Sequence, residues 1–279
     1  MDGDKVGQEK RPVVALINVS YAYPVHEKKA TPKNMALEKV SLTIKRGERV
    51  ALIGPNGGGK TTLLHIIAGL KKPVGGKALV LGKNAWERDM KKTEVGLVFQ
   101  DPEDQVFMPT VWEDVAFGPM NRGEDEKTIR ERVETVLRLM GLEKLSHRPP
   151  HALSIGEKKR VALAGMLVME PEILLLDEPT SNLDPRGKKE VIDFLQAFSG
   201  TLVVATHDID TVPYFADRVV VLNRTILADG TPETVFSNAK LLEKAGLTAP
   251  CITRYFLGLG SEHAPPPLRV EDALERPRK

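Results

Sequence analysis

A chain of 279 residues is long enough to bury one large core, or a core with an attached subdomain, which excludes a mini-protein held together by staples. Lys and Arg number 40 against 38 Asp and Glu, so a formal charge of +2 leaves no overall field to draw the protein onto nucleic acid. The single cysteine, Cys251, rules out an internal disulfide, and no Cys-rich metal spacing is present.

From Met1 to Arg11 the chain is polar and charged, without the apolar run of a secretory signal, and residues 1–12 are read as a flexible N-terminus. No stretch approaches the roughly 18 apolar residues a spanning helix needs, so the chain is not expected to cross a membrane unaided. Val13 to Ser20 and Leu37 to Ile44 are short β-prone runs separated by charges, Pro24 and Pro32, and read as two antiparallel strands with an irregular connection. Val50 to Ile53 is a continuous apolar run, followed by a glycine-dense loop and then a helical pattern from Thr62 to Ile67. Ile173 to Leu176 and Leu202 to Ala205 are further runs of this kind, suited to parallel strands buried on both faces. Between Gln100 and Leu153 the strand signals stop, and Ile129, Val133, Val136, Leu137 and Met140 recur at helical period, which predicts a helical insertion. Asn223-Arg224 marks a turn, and Thr231-Pro232-Glu233 reads as a helix start. The last segment, with Pro265-Pro266-Pro267 and alternating charges, is expected to be unstructured.

Gly54-Pro55-Asn56-Gly57-Gly58-Gly59-Lys60-Thr61 has the G-x-x-x-x-G-K-[ST] spacing, and it lies between a predicted strand and a predicted helix. Glycines let backbone N–H groups approach a polyphosphate from several directions, while the helix N-terminus adds a positive dipole end. Lys60 would neutralise the β- and γ-phosphates, and Thr61 would offer its hydroxyl to Mg²⁺. Asp177 and Glu178 end a hydrophobic strand, where a parallel sheet opens its ligand crevice. Asp177 would hold Mg²⁺ directly or through water, and Glu178 would orient the attacking water or accept its proton. His207 follows another such strand and would hydrogen-bond a γ-phosphate oxygen or that water. Each also has a plainer reading: solvated acids in a loop, and a histidine beside a helix capped by Asp208. Ser154 and Glu157, at the start of a long apolar-rich helix, have the spacing of a capping box. The basic run Lys158-Lys159-Arg160 is expected to face water rather than a partner.

The order of these motifs resembles that of ABC-type ATPases. The phosphate loop is followed by Gln100 in Val98-Phe99-Gln100-Asp101, the signature Leu153 to Glu157, the acidic strand Ile173 to Glu178, the loop Ser181-Asn182-Leu183-Asp184 and the switch histidine His207. The resemblance spans residues 13–250. It implies an α/β P-loop NTPase core with a mostly parallel sheet, an N-terminal antiparallel β subdomain and a helical subdomain inserted at about 101–168, leaving 251–279 as a C-terminal extension. It implies ATP binding and hydrolysis with Mg²⁺, the metal held by Thr61, Gln100 and Asp177, and catalysis by Glu178, His207 and Gln100. It places the nucleotide on Tyr23, Gly54, Asn56, Gly57, Gly58, Gly59, Lys60, Thr61 and Thr62. Tyr21 competes with Tyr23 for the adenine. In the head-to-tail dimer of this family, homotypic or heterotypic, Ser154, Gly156, Glu157 and Asp184 would meet the nucleotide of the second ATPase subunit. The signature departs from the usual Leu-Ser-Gly-Gly-Gln in Ile155 and Glu157, and Ile155 is expected to narrow the approach to phosphate. Gly58, where Ser or Ala is common, is expected to be harmless.

Val98 to Phe107, Gly156 to Val161 and Ala228 to Glu233 are similar to the ATPases of energy-coupling-factor importers, including the cobalt and nickel class. That resemblance implies a peripheral protein on the cytoplasmic face of the cell membrane, working with a transmembrane coupling subunit and a substrate-specific membrane subunit. A coupling helix is expected to dock beside Gln100, although Val106 and Phe107 have the plainer reading of packing on the insertion. A vitamin importer is the nearest alternative. A soluble ATPase acting on nucleic acid or ribosomes is disfavoured, because the insertion of about 50 residues is too short for a long coiled coil.

Overall fold

Apolar residues at every second position lay one face of a strand on a core, and after Lys39 the second strand follows this rule through Val40, Leu42 and Ile44. The computed structural model describes residues 12–24, 34–89, 93–259 and 266–275. It pairs β1 (Pro12–Ala22) antiparallel with β2 (Met35–Lys45). Next come β3 (Arg49–Ile53), α1 (Lys60–Ile67), β4 (Gly75–Val80) and β5 (Lys83–Asn84). The first sheet has the order β2-β1-β4-β5. The sequence reading places no strand at β4 or β5, because Gly75, Gly76 and Lys77 hide the short apolar run that follows.

The second sheet takes β6 (Val95–Val98), β7 (Ile173–Asp177), β8 (Thr201–Thr206), β9 (Arg218–Asn223) and β10 (Thr225–Gly230) in the order β10-β9-β3-β8-β7-β6. All neighbours are parallel except the β9–β10 hairpin, which turns at Asn223 and Arg224. The uninterrupted apolar runs have a direct explanation here. Ala51, Ile53, Leu174, Leu176, Val204 and Val221 point into one core, and Val50, Leu52, Ile173, Leu175, Val203 and Val220 into the other. The second of these cores is closed by α1 and the antiparallel sheet. Helices cover the first.

Those helices are α2 (Val111–Asn121), α3 (Glu126–Leu139) and α4 (Ile155–Leu167) of the insertion, and α5 (Pro185–Ala197) behind the sheet. Ile129, Val133, Val136, Leu137 and Met140 are buried as their spacing requires. Side chains of Thr110, Asp125, Ser154 and Asp184 accept hydrogen bonds from the first turns of these four helices, so the start of each is encoded locally. After α6 (Val212–Phe215) and the hairpin, the chain closes with α7 (Pro232–Phe236), α8 (Ala239–Lys244), α9 (Cys251–Gly258) and α10 (Val270–Leu274). This is the α/β fold with antiparallel and helical subdomains that the motif order implies.

The expectation of an unstructured end fails for residues 266–275. The Thr253 hydroxyl donates to the Pro267 carbonyl at 2.8 Å, Leu268 is buried, and the Tyr214 hydroxyl donates to Glu271 at 3.0 Å. Composition weighs the prolines and charges but not the single apolar anchor that docks. Of residues 1–12, read as flexible, Pro12 instead opens β1, where it pairs with Lys45, and 1–11 lie outside the described residues, as do 260–265 and 276–279. Among the described residues no helix is long and apolar enough to cross a membrane.

Leu176 is fully buried in β7 and leads directly to the two acids. Leu176→Ala should lower the unfolding free energy by about 2–5 kcal/mol through the cavity it leaves. A urea titration with unchanged slope measures this, and a loss below about 1 kcal/mol would contradict the packing described.

Candidate functional site

Register decides what the carboxyl ends of the parallel strands share. Ile53 pairs with Thr206, Asp177 with Ala205, and Val98 with Leu176, so β3, β8, β7 and β6 end at one level. The turns leaving them carry Gly54, His207, Glu178 and Gln100. A cleft of about 340 Å³ opens there, lined by Tyr23, Asn56, Gly57, Gly58, Gly59, Lys60, Thr61, Thr62, Gln100, Asp177, Glu178 and His207. Such a crevice beyond parallel strand ends is where open α/β sheets bind ligands.

The phosphate-type loop is shaped by close approaches of backbone. A Cβ on Gly54 would lie 2.0 Å from the Leu222 carbonyl oxygen, and one on Gly59 2.5 Å from that of Ala36. Gly59 also caps α1 with φ 98°, a left-handed conformation that favours glycine. At Gly58 a Cβ would sit 2.9 Å from the Leu222 oxygen, so glycine relieves a contact there that a serine or alanine must push aside. Lys60 is buried, and its Nζ donates to the carbonyls of Gly54 at 2.8 Å and Pro55 at 3.2 Å. Burial lowers its pKa, partly offset by the charges of Glu178 and Asp177. Tyr23 rather than Tyr21 stands on the cleft wall, its hydroxyl 2.9 Å from the Thr62 hydroxyl. Tyr21 packs partly buried on the core and meets Tyr23 edge to face.

Asp177 and Glu178 are both buried yet differently held. Burial raises the pKa of Asp177, against a hydrogen bond from Thr61 that lowers it. One oxygen of Asp177, Oδ1, is buried without a hydrogen-bond partner. Such an orphaned carboxylate oxygen beside a threonine hydroxyl has the donor chemistry of a Mg²⁺ position. Glu178 adopts φ 49°, in the left-handed region, and its N–H donates to Ala205 at 2.8 Å. Its Oε2 accepts from the Thr206 hydroxyl and the His207 N–H, each at 3.2 Å, and lies 2.8 Å from His207 Nδ1. Gln100 is exposed at the end of β6. Gln105 clamps the turn beyond it, accepting from the Phe99 N–H and donating to the Leu97 carbonyl, both at 3.1 Å.

Ser154, Gly156, Glu157 and Asp184 do not line this cleft. Ser154 forms the capping box: its N–H and hydroxyl donate to the Glu157 carboxylate at 2.8 and 2.9 Å, and its oxygen accepts from the Glu157 N–H. The Ser154 N–H leads in holding the Glu157 carboxyl below its ordinary pKa. Ile155 is half-exposed and borders a neighbouring cleft with Gln100 and Lys159. A Cβ on Gly156 would make only ordinary contact with Leu183. Asp184 is exposed and caps α5 through the Gly187 N–H at 2.8 Å.

The basic run is not solvated as expected. Lys158 pairs with Glu103 and Arg160 with Glu190. Lys159 is buried, and its Nζ reaches the carbonyl oxygens of Glu178 at 2.9 Å and Ser181 at 2.7 Å. Burial pulls its pKa down to about 8. Three adjacent cations read locally as a wet face, because their acceptors are distant in sequence: Glu103 beyond β6 for Lys158, the turn after β7 for Lys159 and Glu190 of α5 for Arg160. Thr206 and Gln105 are also absent from the sequence reading. A polar residue ending an apolar strand was the available signal for Thr206, and Gln105 had none.

Gly59→Ala would force either the Ala36 carbonyl or the loop to move. Its affinity for Mg-ATP should fall at least about tenfold while the fold survives, because the change sits where backbone must approach phosphate. Calorimetric titration checks this, and unaltered affinity would show that the loop is not the phosphate cradle.

The family described as ABC transporter matches residues 37–181. A putative ABC transporter ATP-binding protein of Methanosarcina acetivorans is 43% identical over 90% of this chain and 77% of its own. An energy-coupling factor transporter ATP-binding protein of Methanoculleus marisnigri is 45% identical over 80% of this chain and 83% of its own. Among solved structures, CbiO1 of Clostridium perfringens, part of the ABC transporter complex CbiONQ, superposes with TM-score 0.72 at 37% identity, over 89% of this chain and 99% of that one. A dimeric ATP-binding cassette in a post-hydrolysis state, bound to ADP and phosphate, superposes with TM-score 0.71 at 30% identity, over 78% and 98%. Together with the strand-end cleft and its glycine loop, these similarities establish that the chain belongs to the ABC transporter family, as an ATP-hydrolysing subunit.

Proposed function

We propose that the chain energises an energy-coupling-factor importer, with cobalt or nickel ions as the cargo, from the cytoplasmic face of the cell membrane. The observation that carries the reaction is the single cleft in which the glycine loop and Lys60 face Glu178 across Asp177. Loop amides and Lys60 bind and orient the β- and γ-phosphates of ATP, and the Tyr23 ring receives the adenine. Thr61, Asp177 and Gln100 would hold Mg²⁺, which when bound supplies charge neutralisation at the phosphate oxygens. Glu178 is gripped by Thr206 and His207, so its carboxylate is held ready to orient water and take its proton. With Nδ1 of His207 given to Glu178, Nε2 is the nitrogen left for a γ-phosphate oxygen.

Two ATPase subunits would pair head to tail, placing Ser154, Gly156 and Asp184 against the nucleotide of the second copy. Ser154 then has to exchange its bond to Glu157 for one to phosphate, because the Glu157 carboxylate repels that anion. The coupling subunit would dock on the insertion. There Phe107 is 63% exposed and meets Phe117 edge to face at 5.0 Å, beside a groove of about 430 Å³ that includes Gly118, Met166 and Met169. Val106, by contrast, packs on the core, so only half of that segment takes the plainer reading. The metal cargo rests on the resemblance of Val98 to Phe107, Gly156 to Val161 and Ala228 to Glu233 to the cobalt and nickel class. Relatives named as energy-coupling-factor ATPases support the importer type.

Glu178→Gln should leave ATP affinity intact and lower turnover by about a hundredfold or more, the range of a lost general base. Wild-type turnover in that variant would remove Glu178 from its role. For the cargo, the complex co-purified with its membrane subunits and placed in lipid vesicles should accumulate Co²⁺ or Ni²⁺ when ATP is supplied. Accumulation of a vitamin with no metal uptake would overturn the metal assignment.

A further inference from the structure

We propose that Lys159 is a positioning residue for hydrolysis: its ammonium, carried by α4, holds the backbone of the Glu178–Ser181 turn and so aims the Glu178 carboxylate. The proposal rests on the reading of Glu178 as the residue that activates water. Lysine carries three N–H donors, and here all three have acceptors, the Glu178 carbonyl at 2.9 Å, the Ser181 carbonyl at 2.7 Å and the Ser181 hydroxyl oxygen at 2.8 Å. The Ser181 hydroxyl in turn donates to the Glu178 carbonyl at 2.9 Å, which closes the cluster. Lys159 is only 4% exposed, and an ammonium so buried is tolerable only when fully bonded.

The turn it grips is strained. Glu178 has φ 49°, a left-handed conformation that a glutamate avoids and that persists only where the surroundings over-determine it. Thr206 and His207 fix the carboxylate from the side of β8, and Lys159 fixes the main chain of the same residue from the side of α4. Neither grip alone sets where the carboxylate points. A point-like ammonium suits convergent acceptors, whereas a planar guanidinium does not. Lys159 also lies five residues after Ser154 on one rigid helix, a rise of about 7.5 Å. A shift of the insertion at the signature is therefore carried to the backbone of Glu178 without an intermediate.

The test is steady-state hydrolysis of Mg-ATP by the full chain, with ATP binding and thermal unfolding measured in parallel. Lys159→Met keeps the length and removes the donors, and its kcat should fall about tenfold or more with KM and ATP affinity held within about twofold. Lys159→Gln, which retains two donors, should fall between Lys159→Met and wild type. Ser181→Ala should lower kcat in the wild-type background and add little to Lys159→Met, since both act through one cluster. If Lys159→Met does not fold, Lys159→Gln carries the test with the same requirement of lowered kcat at constant KM. Unchanged kcat, or kcat and ATP affinity falling together with stability, would overturn the proposal. If Glu178→Gln is inactive while Lys159→Met turns over normally, the role of Lys159 alone fails. If Glu178→Gln itself turns over normally, the reading of Glu178 fails first.

Discussion

Parallel strands have no solvent face to spare. Once β3, β7 and β8 align, their side chains alternate into two cores, and each core demands its own cover. The antiparallel sheet with α1 supplies one cover, and the insertion with α5 supplies the other. Everything chemical in the molecule depends on that requirement. It fixes the register in which four strands end together, and hence the level at which the glycine loop, the acid pair, His207 and Gln100 meet.

The covers also do separate work. The antiparallel side brings Tyr23 and the Ala36 carbonyl against the loop, so the same contact that closes the core leaves room only for glycine at position 59. The insertion delivers α4, with the capping box of Ser154 and Glu157 at its start and Lys159 in its second turn. A helix needed to bury Val161, Leu163 and Ala164 thus becomes the element that reaches the turn after β7.

Electrostatics at the strand ends follow from the burial of the charged groups themselves. Lys60 and Lys159 lose proton affinity to burial, and Asp177 gains it, although each has opposite charges near. The arrangement balances two buried cations against two buried carboxylates within one strand end. Asp177 keeps an oxygen without a partner, whereas Glu178 is bonded on both its carboxylate and its main chain. That difference in satisfaction separates an oxygen suited to a cation from a carboxylate whose direction is fixed by its neighbours.

The sequence by itself determined the local chemistry: the glycine spacing before Lys60, the acids after an apolar strand, the capping box of Ser154 and Glu157, and the helical period of the insertion. These are legible because they depend on neighbours within a few residues. Strands β4, β5, β6, β9 and β10 have no counterpart in the linear pattern; β4 and β6 are short and rich in glycine or flanked by charge, and form by pairing rather than by propensity. Tertiary structure alone decided that Tyr23 rather than Tyr21 faces the cleft, that Lys159 is buried instead of wet, and that residues 266–275 dock. Each of those outcomes turns on acceptors or cover supplied by residues distant in the chain, and a linear pattern carries no record of which distant groups come to lie opposite one another.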